Sequence, residues 1–587
     1  MSRYRLLSSG LLRCVFLSAL VGLSIASCGS SSPTAVTSDA PPVATGPFAD
    51  ILARSDLPLT QATPLPGDPM EVTVHRLDNG LTVYISPMPD QPVLAAIAAV
   101  RAGSRHDPAD ATGLAHYLEH MILFKGSDEL GVIDGAAEKP HLDRIAALYR
   151  QLRDSGDGSK RKTILAAIDR ETQSSARYAV ANEIQDLFPR IGINRFDANT
   201  NRDVTRYWAR VPSNRLAPWA RVQAEQLRDT VFRQFYPELE SVYEEKNIQL
   251  DDPEIVVFNA MVRALFPDHS YGQPVLGTVE HLKSPAFDEM VAFYRRWYAP
   301  NNIAVILSGD IDAKTALPIV QREFGDWKPR ILPQPEAGSL KPNRERRTID
   351  ITAPGPARVY ITWQTAPTAH PDHLAIELIH QLVDNTTTGL ARVDLVITNQ
   401  VAEAYSDYYH LREAGMWTLV GTARTGQSLA EVEVALLDVL TRIKQGEISQ
   451  DAVAAARLDL EMAEQRRLDS PWSRAEFIES TFIQGVPWSQ VVGAAARRRQ
   501  LGPSDLAAVA RRYFGDAPVV VYRRTGENRP PKLPRPNITP LPENEGKRST
   551  FARAIEAMDS APLVPEVLRE GEHYSRATLP SGPLIAA

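Results

Sequence analysis

Only twelve histidines are spread over 587 residues, yet GLAHYLEHMILFKGS, residues 113–127, sets two of them four apart with a glutamate between. On an α-helix, residues four apart share a face, so His116 and His120 project their imidazoles toward one point and Glu119 lies on the adjoining edge. Two neutral imidazoles suit zinc and leave two tetrahedral positions. A hydrolytic site needs one more protein ligand and an open place for water, whose pKa the ion lowers to about 7. Glu119 is then placed to take the proton from that water and return it to a leaving amine. The bland alternative is a solvated polar face. It fits poorly, because Leu114, Leu118, Ile122 and Leu123 make this helix apolar and burying histidines without partners is costly.

The third ligand has to come from elsewhere, and PELESVYEEKNIQLDDP, residues 237–253, is the best source. Pro237 suits a first helical turn, and Glu238 and Glu245 are seven apart, two turns along one face. Glu245 is the expected third ligand and Glu238 an orienting acid, while Glu240 and Glu244 fit a solvated face. A second concentration of histidines, His370, His373 and His380 in HPDHLAIELIH, reads as a helix start with packed or capping imidazoles. The hydroxyls of VDNTTTGL suggest a turn, and no glycine-rich phosphate loop is present.

Elements that position these residues follow from local pattern. Asp78-Asn79-Gly80 between two strand-like runs predicts a hairpin, followed by a buried strand in VLAAIAAVRAG. Strands are expected at VTRYWARVP and NIAVILSGDI, with the Glu245 helix between them. Residues 131–189 are highly charged, and Leu142, Ile145, Leu148 and Leu152 mark one face of a helical hairpin laid on the domain rather than in its core. From about Arg347 the order repeats, with strands ARVYITWQT and GMWTLVGTA and the helix LAEVEVALLDVLTRIKQ, which makes a duplicated fold a suspicion. The expected division is 1–27 signal, 28–68 flexible tether, 69–330 first domain with its insert at 131–189, 331–346 linker, 347–526 second domain and 527–587 a Pro-rich polar tail.

A net charge of −7 with interspersed acids and bases offers no field for a phosphate backbone, so nucleic acid is excluded as a partner. Arg3, Arg5 and Arg13 precede an apolar run too short to span a membrane. Ile25-Ala26-Ser27-Cys28 resembles the lipobox of bacterial lipoproteins, in which the cysteine is lipidated; an ordinary signal peptide with an incidental cysteine is the alternative. The resemblance implies a chain anchored through Cys28 in the bacterial envelope, by Gly29 the outer membrane, and facing the periplasm. The other cysteine, Cys14, leaves with the signal, so neither a disulfide nor a cysteine metal ligand is expected in the mature chain.

H-x-x-E-H is the inverted zinc motif. HYLEHMILFKGS, ELESVYEEKNIQLDDPE, HSYGQPVLGTVEHL and FYRRWYAPNNIAVILSGDID resemble, in order, the blocks of pitrilysin/insulysin-type zinc peptidases over about residues 70–525. The resemblance implies zinc held by His116, His120 and Glu245, Glu119 as general base and Glu238 as the accompanying acid. It implies an α+β fold of two related α/β-sandwich domains, each a mainly antiparallel sheet packed with helices. The substrate would be a peptide or unfolded segment added as a strand to a sheet edge. Three departures stand out. His120 and Glu245 are 125 residues apart, more than is usual. Asp197, in FDANTNRDVTRY, stands where many relatives have asparagine. The chain also supplies only one half of the usual chamber, which implies a homologous partner half or subunit, as in the mitochondrial processing peptidases. A binding or scaffold lipoprotein that keeps the fold without cleaving is the competing reading.

Overall fold

The computed structural model describes residues 58 and 60–586, except 90, 157, 284–285, 334–339, 386, 529, 535–537, 543, 545, 563–568 and 579–583. The signal segment, Cys28 and most of the expected tether fall outside the described residues. Among those described, no helix is long and apolar enough to cross a membrane. The end of the expected tether is already structured. Gln61 and Val74 exchange backbone hydrogen bonds of 2.7 and 2.9 Å, and the buried Asp68 carboxylate accepts from Met70 N, Val72 N and Trp488 Nε1.

Two sheets form the frame. The first runs β1 (Thr73–Arg76), β2 (Thr82–Pro87), β6 (Ile303–Gly309), β3 (Val93–Val100), β5 (Thr205–Pro212), β4 (Arg195–Thr200) in spatial order. The second runs β7 (Arg347–Ala353), β11 (Val519–Thr525), β8 (Arg358–Thr365), β10 (Gly415–Thr422), β9 (Glu403–His410). In each sheet one pair is parallel, β2 with β6 and β7 with β11, and the strands beyond it are antiparallel. Apart from the extra β1, the two sheets have one topology, so the fold is an α+β duplication. The Asn79-Gly80 hairpin joins β1 and β2, with Gly80 at φ 88° and the Asn79 amide donating to Phe324 O and Trp327 O.

The helices repeat as well. In the first half α1 is Leu114–Phe124, the insert supplies α2 (Gly135–Arg153) and α3 (Gly158–Ser175), and α4 (Leu216–Arg228), α5 (Phe235–Asp251), α6 (Pro253–Leu265) and α7 (Phe287–Trp297) follow. The second half answers with α8 (His373–Val383), α9 (Leu429–Gln445), α10 (Gln450–Arg467), α11 (Pro471–Gln484) and α12 (Pro503–Tyr513). Helix α9 begins where local chemistry requires it, at a capping box of Ser428 and Glu431.

Apart from tail residues, the main core of each half keeps to its own side of the expected linker, but the halves exchange equivalent helices across the other face of each sheet. Ala475, Ile478 and Phe482 of α11 pack with Ala95, Ile97 and Ala99 on the first sheet. Arg101 secures them, with Nε and Nη2 donating to Phe482 O at 3.0 and 2.7 Å and its guanidinium 3.9 Å from that ring's centroid. In return Val257, Met261 and Leu265 of α6 pack with Tyr360, Val519 and Val521 of the second sheet, where Glu254 meets Arg358, Tyr360 and Arg523.

One expectation needs correction. The insert does not merely lie on the surface: Ile145, Tyr149, Leu152, Ile164 and Ile168 join the first core. Tyr149 packs edge-on to Phe235 at 5.1 Å, and buried Glu138 pairs with Arg233 at 3.0 Å, so removing the insert would leave both an aromatic gap and an unpaired buried charge. The Pro-rich polar tail also contributes to a core. Leu533 and, from α13 (Thr550–Glu556), Phe551, Ala552 and Ile555 enter the same first core. Apolar residues too sparse for an independent core suffice to fill one that is already built.

Candidate metal centre

Helix α1 is buried from Leu114 through Leu123. Its start is set by a close backbone crossing. Gly113, at φ 92°, has so little room that a Cβ would lie 2.9 Å from Leu276 O, and one on Gly277 would lie 2.3 Å from Thr112 O. The orphan N–H groups of the first turn are met by Asp107, which accepts from Gly113 N at 2.7 Å and Ala115 N at 2.9 Å. Burial pushes Asp107 up to about 8 despite these bonds. Helix α5 is tied to the same crossing, since Lys246 Nζ donates to Gly277 O at 2.8 Å. The helices bearing the expected ligands are thus fixed through one backbone contact.

Between them the three expected ligands converge. His116 Nε2 is 3.1 Å and His120 Nε2 3.4 Å from Glu245 Oε2, and the three ligand atoms all lie within 4.8 Å of one another. Bonds of 2.0–2.1 Å to a tetrahedral ion place ligand atoms about 3.3 Å apart, so this donor set fits zinc. Both imidazoles are buried, whereas the Glu245 side chain is 45% exposed and leaves the site open on one side. Among the described residues this is the one group of three or more such side chains close enough to hold an ion.

Glu238 completes the His120 environment. His120 Nδ1 lies 2.8 Å from Glu238 Oε1, and since a carboxylate only accepts, that nitrogen carries the proton and Nε2 is directed at Glu245. Lys125 Nζ is 2.5 Å from Glu238 Oε2 and donates to Asn182 Oδ1 at 3.0 Å. Burial would raise Glu238, but the bond to His120 and the Lys125 charge hold it below the carboxylate range. Burial would lower His120, but the bonds to Glu238 and Glu245 raise it to about 10. Glu245 is likewise held well below its ordinary range, its two imidazole bonds outweighing burial. The pocket is built to retain positive charge.

Glu119 is buried beside the imidazoles, and Thr200 Oγ1 donates to its Oε2 at 2.7 Å. Thr205, which donates to Ala102 O at 2.9 Å, backs Thr200 at 3.2 Å. Burial raises the Glu119 pKa, against the two histidines. Glu240 and Glu244 are exposed. Sequence reasoning missed Lys125 and Thr200. Lys125, ending an apolar helix just before a Gly-Ser turn, was the one local signal; Thr200 had none.

The other histidine cluster holds no ligand triad. His373 Nδ1 faces Tyr408 OH at 3.0 Å, His380 Nδ1 faces Ser406 Oγ at 2.8 Å, and Glu377 pairs with Arg498 at 3.4 Å.

Residues 82–131 match the family model described as insulinase (peptidase family M16), and residues 286–460 match that of the peptidase M16 inactive domain. Over 388 residues the chain is 23% identical to the uncharacterized zinc protease YmxG of Bacillus subtilis (strain 168), covering 64% of this chain and 79% of that one. Among solved structures it resembles a protease from Helicobacter pylori at TM-score 0.65 and 18% identity, covering 77% of this chain and 99% of that one. It also resembles the first half of the periplasmic protease PqqL from Escherichia coli at TM-score 0.59 and 16% identity, covering 78% and 93%.

Proposed function

We propose, for a chain that belongs to the pitrilysin/insulysin-type (M16) peptidase family, the function of a zinc-dependent endopeptidase acting on peptides or unfolded segments in the bacterial envelope. The observation that carries this reading is the convergence of His116 Nε2 and His120 Nε2 on one oxygen of Glu245, with Glu119 buried alongside. Zinc held there supplies Lewis-acid chemistry to a water and to the scissile carbonyl. Glu119 takes the proton of the attacking water and delivers it to the leaving amine. Thr200 holds one of its oxygens in place, and burial brings its pKa closer to the range in which a carboxyl group both accepts and donates. Glu238, clamped by Lys125, fixes the His120 ring and tautomer.

The scaffold alternative is less well supported, because the inactive-domain match begins at residue 286, beyond all four site residues. The likeness to the first half of PqqL supports a homologous partner half or subunit that closes the substrate chamber. Lipidation at Cys28 would hold the enzyme at the membrane, facing the periplasm. The test is a quenched peptide incubated with the zinc-loaded chain, alone and with a homologous partner, against Glu119→Gln. Cleavage should fall by about 10²–10⁴-fold while zinc is retained. Equal turnover by the variant would remove Glu119 as the base, and no cleavage by the zinc-loaded wild type, alone or with the partner, would remove the hydrolase.

A further inference from the structure

Strand β4 lies at the open edge of the first sheet and pairs, among the described residues, with β5 alone. In an antiparallel pair, residues alternate between those whose N–H and C=O turn to the partner and those whose groups turn outward. Asn201 N donates to Val204 O at 2.8 Å, one register step beyond Thr200↔Thr205. By alternation Asp197 and Asn199 bond inward to β5, while Ala198 and Thr200 present their backbone groups to the open side. The outward N–H of Ala198 is already engaged, because the Asp197 carboxylate folds over the edge and accepts it through Oδ1 at 2.9 Å. Asp197 is exposed, and among the described residues no cation stands within ion-pair distance of it; the nearby Arg206 is engaged by Asn199 and Glu479. At 3.3–3.4 Å per residue, Thr200 with its grip on Glu119 is about 10 Å further along the same strand.

We propose that Asp197 is a carboxylate latch on the substrate-docking edge, selecting peptides that carry a lysine, an arginine or a free amino terminus within two or three residues of the scissile bond. This rests on the peptidase reading above. A peptide that adds to β4 as a strand brings a carbonyl to Ala198 N–H, and the carboxylate has to release it. Once displaced it gives up that hydrogen bond on an edge being stripped of water; Glu245 repels it, and His120 and Arg206, which attract it, are already held by Glu238, Glu245, Asn199 and Glu479. A cation on the peptide satisfies it. A neutral side chain leaves it unpaired, and an acidic one adds repulsion.

The test uses quenched peptides alike except for lysine, norleucine or glutamate at successive positions near the cut. Each is measured for kcat/KM on the zinc-loaded wild type and Asp197→Asn, and for Kd by anisotropy on Glu119→Gln with and without the Asp197 change. We expect the wild type to favour lysine over glutamate by about tenfold. In Asp197→Asn that ratio should fall to within about twofold, with cleavage of the norleucine peptide increased. A charge preference that survives Asp197→Asn in both readouts overturns the latch. Peptides cut without any charge preference overturn it too, and leave the peptidase reading standing. Binding whose charge preference follows Asp197, with no peptide cut by the wild type, supports the latch and removes the peptidase.

Discussion

Helices α1 and α5 of the first half correspond to α8 and α10 of the second, and each pair brings carboxylates and histidines together, one around a place for an ion and the other around an arginine. In the first half two Nε2 atoms and Glu245 frame a place for an ion, open through a half-exposed carboxylate. In the second, Glu377 of α8 and Glu464 of α10 both meet the guanidinium of Arg498, which is 3% exposed. There the imidazoles of His373 and His380 are occupied by Tyr408 and Ser406. The duplicated frame therefore asks for positive charge between these two helices in both halves. Where the chain supplies a covalently attached cation the site is structural, and where it leaves the place to a recruited ion it can do chemistry.

The sharpest way to break this contrast is to remove one carboxylate from each pair. Glu245→Gln should weaken zinc binding by about a hundredfold or more, beyond the 10–100-fold typical for residues that only support a ligand, whereas Glu464→Gln should leave zinc content unchanged. Elemental analysis and chelator competition decide it, and equal zinc loss in both would erase the distinction. The next largest effect belongs to Arg498→Met, which leaves Glu377 and Glu464 without their cation. Because both acids are partly exposed, the loss should be about 2–3 kcal/mol, below the full penalty for breaking a buried pair. Urea unfolding measures this, with zinc content as the control; wild-type stability in the variant would deny the guanidinium its structural role.

The smallest effect is pH dependence in the second half. Burial lowers His380 to about 4 against an ordinary 6.5, with Glu377 opposing. Above pH 6.5 the ring is neutral in both folded and unfolded chains. As pH falls from 6.5 toward 4 the unfolded chain binds the proton first, so stability is lost across that window. His380→Asn should recover about 1–2 kcal/mol of the decline between pH 7 and 5, read from unfolding midpoints. An unchanged slope would mean that His380 is no more sheltered folded than unfolded.

Much of the candidate site was legible because its signals are local. His116, Glu119 and His120 lie within five residues, and Glu238 and Glu245 lie two turns apart on one helix. Strands β5, β6, β8 and β10 and helix α9 likewise announced themselves by apolar runs and periodicity. Less was visible where a partner stands far away in the chain. Strand β4, polar and at an edge, has no apolar run to mark it, and the charged insert conceals Tyr149 among exposed neighbours, while the apolar face marked by Ile145 and Leu152 gave no sign that it would enter the core.

The sequence by itself determined which side chains could take a metal and a proton, since helical periodicity places them on common faces whatever lies around them. Tertiary structure alone decided that Glu245 would meet the two imidazoles across 125 residues, that Thr200 would hold Glu119, and that Asp197 would fold over the edge at Ala198. It alone also decided that α6 and α11 would change places. These depend on which surfaces lie opposite one another once two sheets are covered, and contacts between residues remote in the chain leave no period in it to read.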